Sequence, residues 1–124
     1  MSAFSPRQMF TLYQACKPVD EAFGNVYLVG TAASRQDYRD VDVRCILADD
    51  TYDKLQDAIG IDAISFLSIA VGQHLEAATR LPIDFQFQRM TEANNNHTGP
   101  RNPLGVRALS NYRGDAAPKE TNDE

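Results

Sequence analysis

Two stretches of the chain alternate apolar and polar residues with a period of two, "DVDVRCIL" at residues 40–47 and "PIDFQFQ" at residues 82–88. Side chains alternate across a strand, so Asp40, Asp42, Arg44 and Ile46 fall on one face of the first, and Val41, Val43, Cys45 and Leu47 on the other. In the second, Ile83, Phe85 and Phe87 face one way while Asp84, Gln86 and Gln88 face the other. Carboxylates are poor strand formers and costly to bury, so the polar side of each must meet water or a charged partner. The apolar side must be covered by helices. These demands predict an α/β (α+β) fold, a small mixed β-sheet of three or more strands packed against helices.

The remaining elements follow from local signals. Ser5-Pro6 offers an N-cap and a first-turn proline, with Met9, Phe10, Leu12, Tyr13 and Cys16 near helical spacing behind it. Pro18 is expected to end or kink that helix, with at most one more turn before Gly24. "NVYLVG" (25–30) reads as a strand closed by glycine, and "TAASRQDYR" (31–39) as a polar loop or short helical turn. "DDTYDKLQDAIG" (49–60) reads as a helix with an acidic first turn and a terminal glycine. "DAISFLSIAVGQHLEAATRL" (62–81) is apolar around most of its girth, which predicts a central, largely buried helix. Residues after "NNNHTGP" read as extended wrapping. The domain is expected over 1–110, and the polar residues 111–124 as a disordered tail.

The 124 residues suffice for one domain with a single core. The longest run without a charge, "AISFLSIAVGQH", is too short for a membrane span, and the N-terminus lacks the pattern of an export signal, which gives a cytoplasmic expectation. Cys16 and Cys45 have neither a CxxC spacing nor further cysteines around them, so both read as small buried hydrophobes. A net charge of −5 argues against broad attraction to nucleic acid.

If the two alternating runs are sheet neighbours they lie about 4.8 Å apart, and Asp40 and Asp42 about 7 Å apart, so Asp40, Asp42 and Asp84 can converge on one small volume. Unpaired, such carboxylates repel one another. Mg²⁺ or Mn²⁺ relieves the conflict, and two such ions can clamp the attacking and leaving oxygens of a phosphoryl displacement. "LVGTAAS" precedes the first run, with Gly30 where backbone can approach a ligand and hydroxyls at Thr31 and Ser34 able to meet phosphate oxygens.

The order of these parts, "VGT", "AASRQDYR", "DVDV" and a later "IDF", resembles the DNA polymerase β-like nucleotidyltransferase superfamily, particularly its minimal single-domain members. The segment "RMTEANNNHTGPRNPLG" is also similar to small nucleotidyltransferase-like proteins of actinobacteria and their phages. The resemblance implies Asp40 and Asp42 as a metal-binding pair, with Asp84 as a third carboxylate that helps hold the metal and accepts the attacking hydroxyl's proton. It implies Gly30 and Thr31 as a phosphate-contacting turn, with Ser34 behind them. The implied activity is transfer of a nucleoside monophosphate from an NTP to a hydroxyl acceptor of unknown identity, with two Mg²⁺ (or Mn²⁺) ions. Thr31 stands where Gly or Ser is usual, and the spacer before Asp40 is short. No part of the chain is large enough to recognise an acceptor, so the acceptor is small, or is brought by a protein partner or a second copy of the chain.

Plainer readings stand beside these. The Asp40–Asp42 pair also suits a solvent-facing acidic edge strand, and Arg44 a surface ion pair. His74 reads as a boundary histidine and His97 as part of a surface turn; Arg89, Arg101 and Arg107 read as solvated unless one reaches a phosphate. "DDTYDKLQD" lacks the glycine and closing glutamate of an EF-hand and carries no chemistry. The alternative function is a catalytically inactive, antitoxin-like regulatory protein that keeps the fold.

Overall fold

A computed structural model describes residues 5–30 and 40–105. The described residues form four helices and a four-stranded mixed sheet: α1 (Pro6–Phe23), β1 (Val26–Val29), β2 (Val41–Leu47), α2 (Asp49–Ile59), α3 (Ile61–Thr79), β3 (Ile83–Arg89), α4 (Met90–Asn96) and β4 (Asn102–Pro103). The strand order is β3-β2-β1-β4. β1 runs antiparallel to both neighbours, whereas β2 and β3 are parallel and joined across α2 and α3. The expected strands are therefore present and adjacent, and the α/β assignment holds.

Local chemistry sets the boundaries. Ser5 and Gln8 form a reciprocal capping box at the start of α1, each side chain bonding the other's backbone. Of the two outcomes expected at Pro18, termination does not occur: α1 runs on through the further turn to Phe23, and Gly24 stops it as expected. Proline forfeits the bond its N–H would have made to the preceding turn. Val19 beyond it is buried and Phe23 packs against Phe87, so tertiary packing holds the last turn. Gly24 ends the helix at φ 79°. α2 and α3 meet at Gly60, whose φ of 88° closes the first helix and opens the second.

The core lies on one face of the sheet, where α1 and α3 cover Val26, Leu28, Val41, Val43, Cys45, Phe85 and Phe87. Leu12, Cys16 and Leu75 reach it from the helices with no exposed surface. Cys16 and Cys45 are buried free thiols, as expected, and burial pushes both up to about 12. The Cys45 thiol donates to the Gly24 carbonyl.

α3 departs from expectation. Only Ile64, Gly72 and Leu75 are buried on it, while Phe66 is 68% and Ile69 58% exposed. The cause is its place in the fold: α3 packs against α1 and β3, and β3 is an edge strand with no further strand beyond it among the described residues. No single described helix is long and apolar enough to cross a membrane.

The segment after β3 also differs. Residues 90–96 form the helix α4, and only Asn102 and Pro103 pair as the short strand β4 against β1. The expected tail at 111–124 and the loop at 31–39 lie outside the described residues.

Candidate functional site

The strand register builds the site. Parallel pairing of β2 and β3 sets Asp42 directly beside Asp84 and Arg44 beside Gln86, and antiparallel pairing sets Val29 opposite Asp42. Asp42 and Asp84 thus share the sheet face that the core helices leave open. Asp40 stands at the exposed start of β2, near enough to raise the Asp42 carboxyl through charge. The two strands set two of the three expected carboxylates, Asp42 and Asp84, side by side, while Asp40 lies just before β2 and reaches them through charge.

Gly30 gives that end its shape. It follows β1 at φ 77°, and a Cβ built there would lie 2.6 Å from Asp42 Oδ2. A side chain at this position would collide with the carboxylate and strain the backbone, so the bare Cα lets the turn after β1 press against Asp42. The expected hydroxyls at Thr31 and Ser34 lie outside the described residues.

Arg44 is not the surface residue the alternation allowed. It is 6% exposed, and its Nη1 donates to the carbonyls of Asp84 at 2.6 Å and Val43 at 3.1 Å. Its Nη2 reaches Asp84 Oδ2 at 3.3 Å and Asp42 Oδ1 at 3.9 Å. The backbone bonds fix the guanidinium between the two strands, where it offsets part of the carboxylate repulsion. That offset is incomplete: burial first, then Asp84 and Asp40, hold the Asp42 carboxyl above its ordinary value against the pull of Arg44.

α4 covers the far end of the same face. Ile46, Gln88 and Ala93 are buried beneath or within it, and His97 caps it with an N–H bond to the Ala93 carbonyl. The His97 ring stands within the fields of Arg44, Arg101, Asp42 and Glu92, and its Nε2 is buried with no hydrogen-bond partner among the described residues. Burial and the two arginines hold the imidazole below its ordinary value, favouring the neutral ring. His97 is the site neighbour the sequence does not announce, because the approach depends on α4 folding back over the sheet.

Other residues acquire plain structural roles. Arg101 donates to the Ala93 and His97 carbonyls and to Asn94, closing the C-terminus of α4. Arg89 makes a two-point bond to Asp53, and Asp49 accepts from Thr91, which ties α2 to the β3–α4 junction. Those bonds from Thr91 lower the Asp49 carboxyl. His74 Nε2 lies 3.4 Å from the Ala15 carbonyl at the α1–α3 boundary. Arg107 lies outside the described residues.

The donor set is of the right type for a hard cation, since Asp42 and Asp84 present carboxylate oxygens side by side and Asp42 gains from any added positive charge. Among the described residues no group of three or more His, Cys, Asp or Glu side chains is close enough together to hold a metal ion. A cation here would therefore draw on Asp42 and Asp84, with water or a ligand's oxygens completing the shell. Comparison with family models, curated proteins and solved structures returned no match.

Proposed function

We propose that the chain is a divalent-metal-dependent nucleotidyltransferase that moves a nucleoside monophosphate from an NTP to a hydroxyl acceptor. The observation that carries this reading is the register that sets Asp42 beside Asp84 on the sheet face away from α1 and α3, with Gly30 pressed against Asp42. That pairing is the one the sequence resemblance asks of these residues.

In this reading Asp42 and Asp84 hold Mg²⁺ or Mn²⁺, and Asp40 adds negative charge from the strand's start. The ion, when bound, supplies charge neutralisation at the phosphoryl oxygens. Gly30, without a side chain, supplies room for a phosphate beside Asp42. Asp84, the more exposed of the pair, is the carboxylate placed to accept a proton from an incoming hydroxyl. Arg44 positions Asp84 through its backbone and side chain.

A second reading rests on Arg44 itself. A buried guanidinium already paired with Asp84 and near Asp42 supplies charge that a metal would otherwise supply, which favours a binding or regulatory protein that keeps the fold without turnover.

The test incubates the protein with each α-labelled NTP and Mg²⁺ or Mn²⁺, beside Asp42→Ala and Asp84→Ala. Label transfer and metal-dependent thermal stabilisation, both lost in the variants, are expected of the enzyme. Stabilisation without transfer favours the regulatory reading. Melting that ignores metal in all three proteins overturns the metal site.

A further inference from the structure

β3 forms one edge of the sheet, and no described strand pairs with its outer side. Val41 N–H donates to the Pro82 carbonyl, so Pro82 and the even-numbered residues after it turn their backbone groups toward β2. Ile83, Phe85 and Phe87 turn theirs outward. The Ile83 N–H is taken by Glu76, 3.2 Å away, which leaves the outward groups of Phe85 and Phe87 as the part of the edge with no strand partner among the described residues. A groove of about 520 Å³ runs along this edge between β3 and α3, lined by Ile61, Ile64, Ser65, Ile69 and Gly72 of the helix. Ile61 and Ile69, which line this groove, are each more than half exposed.

An open strand edge beside exposed isoleucines invites pairing with another strand. We propose that this surface joins two copies of the chain across a two-fold axis at Gln86, with the β3 strands antiparallel and the sheet continuous through the seam.

The edge is self-complementary in that register. Phe85 of one copy faces Phe87 of the other, so the free backbone groups satisfy one another in both directions. Ile83 faces Arg89, Asp84 faces Gln88 and Gln86 faces itself, so no like charges are directly opposed. A two-fold axis normal to the sheet keeps both α3 helices on the same side, where Ile61 and Ile69 of each lie over the seam and lose their contact with water. Both aspartate faces then open on the opposite side, clear of the helices. The short free stretch suits a symmetric partner with an equally short one.

Sedimentation equilibrium of the full chain across a concentration series tests this. A dimer is expected for the wild type. Ile69→Asp, at an exposed position, should weaken it at least about tenfold while leaving the far-ultraviolet circular dichroism unchanged. Gln86→Lys and Gln86→Glu should each weaken it as well, because each sets like charges face to face at the axis. Mixing those two variants should restore a dimer containing one of each. A wild-type chain that stays monomeric overturns the proposal and points to residues 106–124 of the same chain as the cover. A dimer indifferent to Ile69→Asp and to both Gln86 substitutions places the interface elsewhere and overturns it equally.

Discussion

The two faces of the sheet are made from the same strands and differ in what their alternate residues do. On the helix face Val41, Val43, Cys45, Phe85 and Phe87 are buried against α1 and α3, with the Phe85 and Phe87 rings edge to face. On the other face Asp42, Arg44 and Asp84 crowd polar groups together under partial cover from α4, leaving Arg44 Nε, Gln88 Oε1 and His97 Nε2 buried and without a hydrogen-bond partner among the described residues. The first face gains free energy from each side chain removed from water; the second sacrifices some of it to hold charges near one another. A face that lowers stability persists only where the rest of the fold overcompensates, as is typical of binding and catalytic surfaces.

The contrast is broken most severely from the stable side. Leu75 has no exposed surface and projects from α3 into the core. Leu75→Ala is expected to cost about 2–5 kcal/mol, read from urea denaturation, because little around it can collapse into the space. A smaller effect sharpens the polar side. Gly30→Ala should lose about 1–3 kcal/mol, since alanine at φ 77° is strained and its Cβ displaces the Asp42 carboxylate. Gly60→Ala is the control: its φ is 88°, but a Cβ there meets nothing within 4 Å. Equal losses in the two variants would mean that contact with Asp42 contributes nothing at Gly30.

The helix face was legible in the sequence and the polar face only in part, for a physical reason. Period-two alternation decides which residues of one strand share a face, so the burial of Val41, Val43 and Phe85 follows from local pattern, whereas the meeting of Asp42 and Asp84 also needs the pairing of β2 with β3, which local pattern left as a condition. What lies on top of a face does not. "MTEANNN" has no apolar period, yet it forms α4, held by buried Ala93 and by Arg101 at its end. The burial of Arg44 and the approach of His97 both depend on that helix. The exposed flank of α3 was hidden in the opposite way: its composition asks for burial on all sides, but the edge position of β3 leaves one side without a neighbour. Only the approach of Gly30 to Asp42 had a local signal on the polar side, a glycine closing a strand just before the acidic pair.

The smallest expected effect separates the faces most directly, because it asks whether a single carboxylate lowers stability. Burial together with Asp84 and Asp40 raises the Asp42 carboxyl in the folded chain. The folded state therefore binds this proton more tightly than the unfolded state, so the group is least harmful below its unfolded value. Stability falls as pH rises from there through the raised folded value, and the deficit is complete above it. Asp42→Asn removes the ionisation while keeping the shape. The variant should be more stable than the wild type at pH 7, by less than about 1 kcal/mol because water still reaches the group and screens it. The advantage should shrink toward pH 4 in a series of urea midpoints. Asp49 provides the opposite sign: bonds from Thr91 lower its carboxyl, so its stabilisation is present above the unfolded value and lost as pH falls through the folded one. A variant Asp42→Asn that is less stable than the wild type at neutral pH would mean that the pairing with Arg44 outweighs the crowding. The polar face would then be held together by its charges rather than in spite of them.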